Sequence, residues 1–160
     1  MVKVDHAAIR VSQVSLLALL ILAFVLNAAW LVALIALVLL TGVIRRRPAF
    51  DFLYVFLLRP RGWVKPDVLE DHPEPHRFSQ GLALLFVSGS SLALFAGAAT
   101  FGWGLAWMVV ALAALNAFGG FCVGCAVYYW LNRLGLPGFN QAPPEGVFPG
   151  RRPGAYRVQD

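Results

Sequence analysis

The chain has 160 residues, of which 59% are hydrophobic and 13% are charged, and its formal net charge is +5 at pH 7. Soluble globular domains carry about 25% charged residues, so this composition excludes an ordinary soluble domain and indicates a membrane protein. The basic excess is typical of a surface beside anionic lipid, and we expect no nucleic-acid partner.

A first apolar block covers residues 14–44. At about 1.5 Å per residue it is too long for one ordinary membrane span. Asn27 and Trp30 interrupt the block with an amide and an indole, side chains that favour the membrane interface. We therefore predict two transmembrane helices, 12–26 and 29–44.

The segment 49–58 is apolar, flanked by arginines and too short to cross a bilayer. It predicts a helix that lies in the cytoplasmic interface. A second apolar block follows at residues 81–129, and its break at 100–104 contains two glycines and a tryptophan, which favour a turn. We predict helices at 80–99 and 104–130.

Residues 1–135 therefore form a predicted four-helix membrane domain. The remainder, 136–160, holds five of the ten prolines and is predicted to be a loosely attached cytoplasmic tail. With four spans, all 13 lysines and arginines fall on one side of the membrane, because both hairpin tips lack them. The positive-inside rule assigns that side to the cytoplasm and predicts a bacterial inner-membrane protein with both termini inside.

A short repeat precedes the two predicted hairpins. Asp5-His6 is followed by Arg10-Val11-Ser12-Gln13, and Asp71-His72 is followed by Arg77-Phe78-Ser79-Gln80. The matching positions predict two hairpins of the same orientation, related as parallel repeats. The expected fold is an all-α integral membrane protein with four transmembrane helices and one interfacial helix.

The only cysteines, Cys122 and Cys125, lie three residues apart near the end of the last predicted helix. On a continuous helix they share one face, at a Cα separation of roughly 5 Å that permits a disulfide. Gly120 and Gly124 form a small-residue step on another face, with Asn116 one turn before it, which favours close helix packing.

Four interpretations of this pair stay open. The cysteines are small packing side chains, or a dithiol that cycles with a disulfide, or part of a metal site completed by His72 and His76, or the lining of a path for small sulfur species. The two prolines between those histidines weaken the metal interpretation, because helical spacing cannot be assumed there.

The redox interpretation meets an electrostatic objection, because the C-terminal end of a helix disfavours a thiolate. A helix break at Gly119–Gly120 would remove it by starting a new helix near Cys122, and Arg77 would supply balancing positive charge. In that case we expect Cys122 to be the nucleophile and Cys125 the resolving thiol.

Three segments of the chain resemble a bacterial membrane family catalogued as domain of unknown function 4395. They are Glu70-Asp71, Arg77-Phe78-Ser79-Gln80 and Gly120-Phe121-Cys122-Val123-Gly124-Cys125, within a similarity over residues 4 to 134. The family's members tend to be encoded near thioredoxin-like and sulfurtransferase proteins, so the resemblance implies thiol redox or sulfur chemistry. Its motif does not include His72 or His76.

We therefore expect a membrane-bound thiol redox or sulfur-handling component built on Cys122, Cys125 and Arg77. Its expected partners are the lipid bilayer and a soluble thioredoxin-like or sulfurtransferase protein, and a homo-oligomer is compatible with the pattern. No cofactor is expected, and the sequence does not decide whether the protein is an enzyme. A structural or assembly subunit with packing cysteines is the competing class.

Overall fold

A computed structural model describes residues 2–143 and 146–152. Six helices and one two-stranded sheet follow each other along this part of the chain, so the all-α prediction needs correction. In chain order they are β1 (Val2–Asp5), α1 (His6–Val25), α2 (Ala29–Arg45), α3 (Asp51–Leu53, continued by a π-helix at Tyr54–Leu58), β2 (Val68–Asp71), α4 (Pro73–Phe95), α5 (Ala99–Gly119) and α6 (Val123–Arg133).

The first hairpin has its turn where the sequence predicts it. Helix α1 ends at Val25, Asn27 adopts a positive φ of 49°, and α2 begins at Ala29. Helix α1 starts earlier than the predicted residue 12, because Asp5 caps it by accepting a hydrogen bond from the backbone N–H of Ala7. The polar first turns belong to the helix although they precede the apolar run.

The second hairpin turns earlier than predicted. Its turn lies at Gly97, where φ is +82°, and not at 100–104. Gly102 lies inside α5, where an added Cβ would come within 2.7 Å of Leu94 Cγ, and its carbonyl accepts a hydrogen bond of 2.7 Å from Ser90 Oγ. This glycine permits close helix packing. From the neighbouring sequence alone, a glycine in this role cannot be distinguished from a glycine in a turn.

The predicted continuous helix 104–130 is wrong. Helix α5 ends at Gly119, Gly120 adopts a left-handed conformation with φ of 62°, and α6 begins at Val123. The alternative expectation, a break at Gly119–Gly120 that starts a new helix at Cys122, is confirmed. Gly124 consequently packs against Ser79 of α4, where an added Cβ would lie 2.5 Å from Ser79 Oγ.

The helices of the first hairpin pack against those of the second. Helix α1 contacts α5, α2 contacts α4, and α4 also contacts α5 and α6. Fully buried aliphatic side chains form the core between them: Leu20, Ala23, Val32, Ile35 and Val87. Helices α1, α4 and α5 are long and apolar enough to cross a membrane, and α2 is a shorter apolar helix of 17 residues. The fold is thus compatible with a membrane protein.

Two connecting segments stabilise one end of the helix bundle, the end that is predicted to face the cytoplasm. The helical segment at 51–58 exposes Phe52 and Phe56, while its buried Tyr54 donates a hydrogen bond of 2.8 Å to Asp5. Strands β1 and β2 pair antiparallel, with Val2 opposite Asp71. The sheet therefore brings the start of α1 to the start of α4.

Part of the C-terminal tail is attached to the bundle. The N–H of Cys122 donates to the carbonyl of Gly150 at 2.7 Å, and the N–H of Arg152 donates to the carbonyl of Gly120 at 3.0 Å. The prediction of a loosely attached tail is therefore wrong for 146–152. Residues 144, 145 and 153–160 of that predicted tail lie outside the described part.

Candidate functional site

The break between α5 and α6 creates a helix N-terminus at the cysteine pair. Cys122 has extended backbone angles and is the N-cap of α6, and its Sγ accepts a hydrogen bond of 3.3 Å from the N–H of Cys125. A helix N-terminus stabilises an anion through its unpaired N–H groups and its dipole. The electrostatic objection to a reactive thiolate is thereby removed.

The two sulfur atoms are in direct contact. The Cys125 thiol donates to Cys122 Sγ at 2.6 Å, and the side chains are 3% and 5% exposed. Both cysteines are free thiols. The pair is therefore placed for disulfide formation.

A histidine and an aspartate stand behind Cys125. Nδ1 of His76 lies 3.5 Å from Cys125 Sγ, and its Nε2 lies 2.9 Å from Asp71 Oδ2. Nε2 of His6 lies 3.1 Å from the same carboxylate oxygen, and its ring meets that of His76 edge to face. A thiol, an imidazole and an orienting carboxylate in this order form an arrangement suited to proton transfer.

The small sheet explains how these side chains meet. Asp71 is the last residue of β2, His76 lies in the first turns of α4, and His6 is the first residue of α1, directly after β1. Pairing of the two strands places both strand-to-helix junctions together. His6 was missed as a site residue, and the repeated Asp-His pair is the sequence signal that marks its position.

The environments of the two thiols separate their pKa values. Both lie outside the long apolar helices. The hydrogen bond from Cys125 lowers the pKa of Cys122 to about 6 against the opposing effect of burial, with help from Ser79 and His76. The same hydrogen bond, together with burial, raises the pKa of Cys125 well above its usual range. The pair is thus divided into one ionisable and one protonated thiol.

The carboxylate of Asp71 is held in its ionised form. Burial opposes ionisation, but the neighbouring imidazoles of His6 and His76 outweigh it and keep the pKa of Asp71 well below its usual range. Nearby Tyr129 is buried, and burial together with the charge of Asp71 raises its pKa. Asp71 is therefore the permanent negative charge at the centre of the site.

Two cavities reach the sulfur atoms. A small cavity of about 40 Å³ is lined by both cysteines, and a larger one of about 630 Å³, mostly apolar, reaches Cys122 between α1, α4, α5 and α6. Arg77 is exposed and lies in the wall of the larger cavity. The structure thus brings His76 to the sulfurs, and the supporting role of Arg77 stays a prediction.

The histidines also bear on the metal interpretation. Cys122, Cys125 and His76 come together as that interpretation requires, whereas His72 is the N-cap residue of α4 and donates its backbone N–H to Asp71. Among the residues that the structure describes, the group with metal-ligating atoms within 4.8 Å of one another is His6, Asp71 and His76. Within this group, Nε2 of His76 forms a hydrogen bond of 2.9 Å with Asp71, whereas the buried Nε2 of His6 lies 3.1 Å from the same carboxylate and has no hydrogen-bond partner in the described part of the chain.

Fold and site together define a small, predominantly apolar helical protein with a buried Cys-x-x-Cys pair backed by a His–Asp couple. The chain belongs to the family described as Domain of unknown function (DUF4395), whose model matches residues 4–133. The predicted family is confirmed. No curated protein and no solved structure matches the chain significantly.

Proposed function

We propose that this protein is a membrane-bound thiol redox or sulfur-handling component that exchanges with a soluble thioredoxin-like or sulfurtransferase partner. One observation carries the proposal: Cys122 caps α6 in contact with Cys125, whose thiol lies 3.5 Å from a histidine bound to Asp71. A pair of packing cysteines needs neither an ionisable first thiol nor an imidazole aligned on the second.

The first step of the proposed cycle uses Cys122. Its thiolate attacks a disulfide of the partner, so that a bond forms between Cys122 Sγ and one partner sulfur while the other partner sulfur leaves as a thiolate. If the partner carries a persulfide, Cys122 takes its outer sulfur and the partner's cysteine thiolate leaves. Neither form of this step requires another reactant.

The second step uses Cys125. His76 accepts the thiol proton through Nδ1, and the resulting thiolate of Cys125 attacks Cys122 Sγ. The Cys122–Cys125 bond forms, the bond to the partner breaks, and the partner's second sulfur leaves and takes up a proton. The dithiol is oxidised and the partner disulfide is reduced by the same two electrons. Asp71 stabilises the imidazolium that forms.

We further propose that all four long helices, α1, α2, α4 and α5, span a bacterial inner membrane as two parallel repeats. Basic residues near the sheet and the α3 segment, together with tips that lack them, support both termini in the cytoplasm. The antiparallel pairing of β1 with β2 agrees with a twofold relation between the hairpins, and so do the matching contacts of α1 with α5 and of α4 with α2.

Cysteine labelling in whole cells tests this orientation. In a Cys122→Ala/Cys125→Ala background, Leu26→Cys and Ala96→Cys occupy exposed positions at the two tips. An impermeant maleimide should label both in intact cells and should label Trp63→Cys only after permeabilisation. Labelling of Trp63→Cys in intact cells would show that the protein has the opposite orientation.

Mass spectrometry after rapid alkylation tests the function. We expect protein isolated in this way to carry a mixed disulfide or a persulfide on Cys122 in a measurable fraction of molecules. Isolation of two unmodified thiols under all growth conditions would instead support a structural subunit with packing cysteines. A Cys122→Ala variant provides the background for assigning the modified sulfur.

A further inference from the structure

The small cavity beside the cysteine pair has guanidinium groups in its wall. It is lined by Arg10 of α1, Arg152 of the attached tail and the imidazoles of His6 and His76. The one carboxylate among the described residues that line it is Asp71, which both imidazoles already engage. With Asp71 engaged by the imidazoles, no carboxylate among the described lining residues is left to pair with the Arg10 guanidinium.

Arg152 is only partly satisfied within the protein. Its terminal Nη2 forms an ion pair with Asp67, but its Nε is buried and has no hydrogen-bond partner in the described part of the chain. Burial, and then the positive charge of Arg10, lower the pKa of Arg152. Two guanidinium groups that repel each other around a small cavity, one with an unpaired donor, form a site that an anion completes.

We propose that this cavity binds a small sulfur oxyanion, with sulfite as the reactive ligand, between Arg10, Arg152 and the cysteine pair. A cavity of about 40 Å³ admits a small ion and excludes a peptide or an organic disulfide. We choose an anion with a nucleophilic sulfur because both Sγ atoms line the same cavity, where such an anion can attack their disulfide. The reaction rests on the proposed thiol redox function, whereas the binding of the anion does not.

The reaction is balanced without another reactant. Starting from the disulfide form, the lone pair on the sulfite sulfur attacks Cys122 Sγ and forms an S-sulfonate, while the Cys122–Cys125 bond breaks. Its electron pair leaves on Cys125 Sγ, which takes a proton from His76. The disulfide is reduced, and sulfite sulfur is oxidised as it becomes bound to the cysteine.

Anion binding is tested with sulfate, an unreactive oxyanion of the same class, on the disulfide form, in which Cys122 carries no negative charge. At equal ionic strength, replacing chloride with sulfate should raise the unfolding midpoint of the wild-type protein by at least about 2 °C more than that of Arg10→Gln or Arg152→Gln. Arg133→Gln removes the same charge from an exposed position at the end of α6 and should behave as wild type. Equal shifts in all four proteins would overturn the site.

The reaction is tested on the disulfide form. The rate constant for sulfite should fall at least about tenfold in Arg10→Gln, the loss of one charge-assisted contact. The rate for neutral dithiothreitol should stay within about twofold, and the sulfite product should contain one S-sulfonate. A parallel fall for both reagents would overturn anion recognition. Sulfate binding without any reaction of the disulfide would refute the sulfite step and the proposed redox function, while leaving the anion site in place.

Discussion

Replacing Cys125 with serine will trap a mixed disulfide between Cys122 and a protein partner, whereas replacing Cys122 with serine will trap none. Cys122 has the lowered pKa, at the N-terminus of α6, so it ionises and attacks first. Serine at 125 cannot resolve the product, but its hydroxyl can still donate a hydrogen bond to Cys122 Sγ in place of the thiol.

The trapped species is measured by non-reducing electrophoresis of tagged protein after acid quenching, followed by mass spectrometry of the partner peptide. With a pKa of about 6 for Cys122, the trapping rate should rise with pH, reach half of its maximum near pH 6 and level off about one pH unit higher, where the thiolate predominates. The double replacement is the control for non-specific disulfides. Equal trapping by both single variants would contradict the assigned roles.

Replacing His76 with alanine will slow resolution by Cys125 about 10²- to 10⁴-fold, the usual effect of losing a general base. The raised pKa of Cys125 leaves this thiol protonated at neutral pH, and the imidazole 3.5 Å from its sulfur is the group placed to accept the proton. Asp71→Asn should slow the same step, since it removes the charge that stabilises the imidazolium.

The two steps are separated with 4,4′-dithiodipyridine, a neutral disulfide. Attack by Cys122 releases one thiopyridone, and attack by Cys125 releases the second, so stopped-flow absorbance resolves two phases. His76→Ala should slow the second phase far more than the first. His72→Ala is the matched control, because the His72 side chain makes no capping hydrogen bond at the start of α4 and its backbone N–H is retained. An unchanged second phase in His76→Ala would remove His76 from the mechanism.

Local rules predicted much of the helical framework. Two long apolar blocks, an amide and an indole at 27–30, and a short flanked segment at 49–58 indicated two hairpins and a connecting helix, and these are present. The glycine pair at 119–120 also indicated the possibility of a new helix at Cys122. Each of these features depends on residues close together in the chain.

Features that depend on distant contacts were missed or misplaced. Gly102 was assigned to a turn, although its lack of a side chain serves packing against Leu94 of the neighbouring helix. The strand at 68–71 pairs with the N-terminal arm, and neither strand is long enough to show an alternating pattern. Attachment of the tail through Gly150 depends on the carbonyl that faces Cys122, which no local pattern encodes.

The sequence by itself determined that the protein is apolar and helical, that it belongs to its family, and that its two cysteines lie three residues apart. Only the tertiary structure decided which thiol is stabilised as an anion and which group faces the other. Spacing brings Cys122 to Cys125, but His76 comes from 49 residues earlier than Cys125. The pKa of a thiol depends on the charges, hydrogen bonds and burial around it, and in this site the packing of α6 against α4 and the pairing of two short strands provide them.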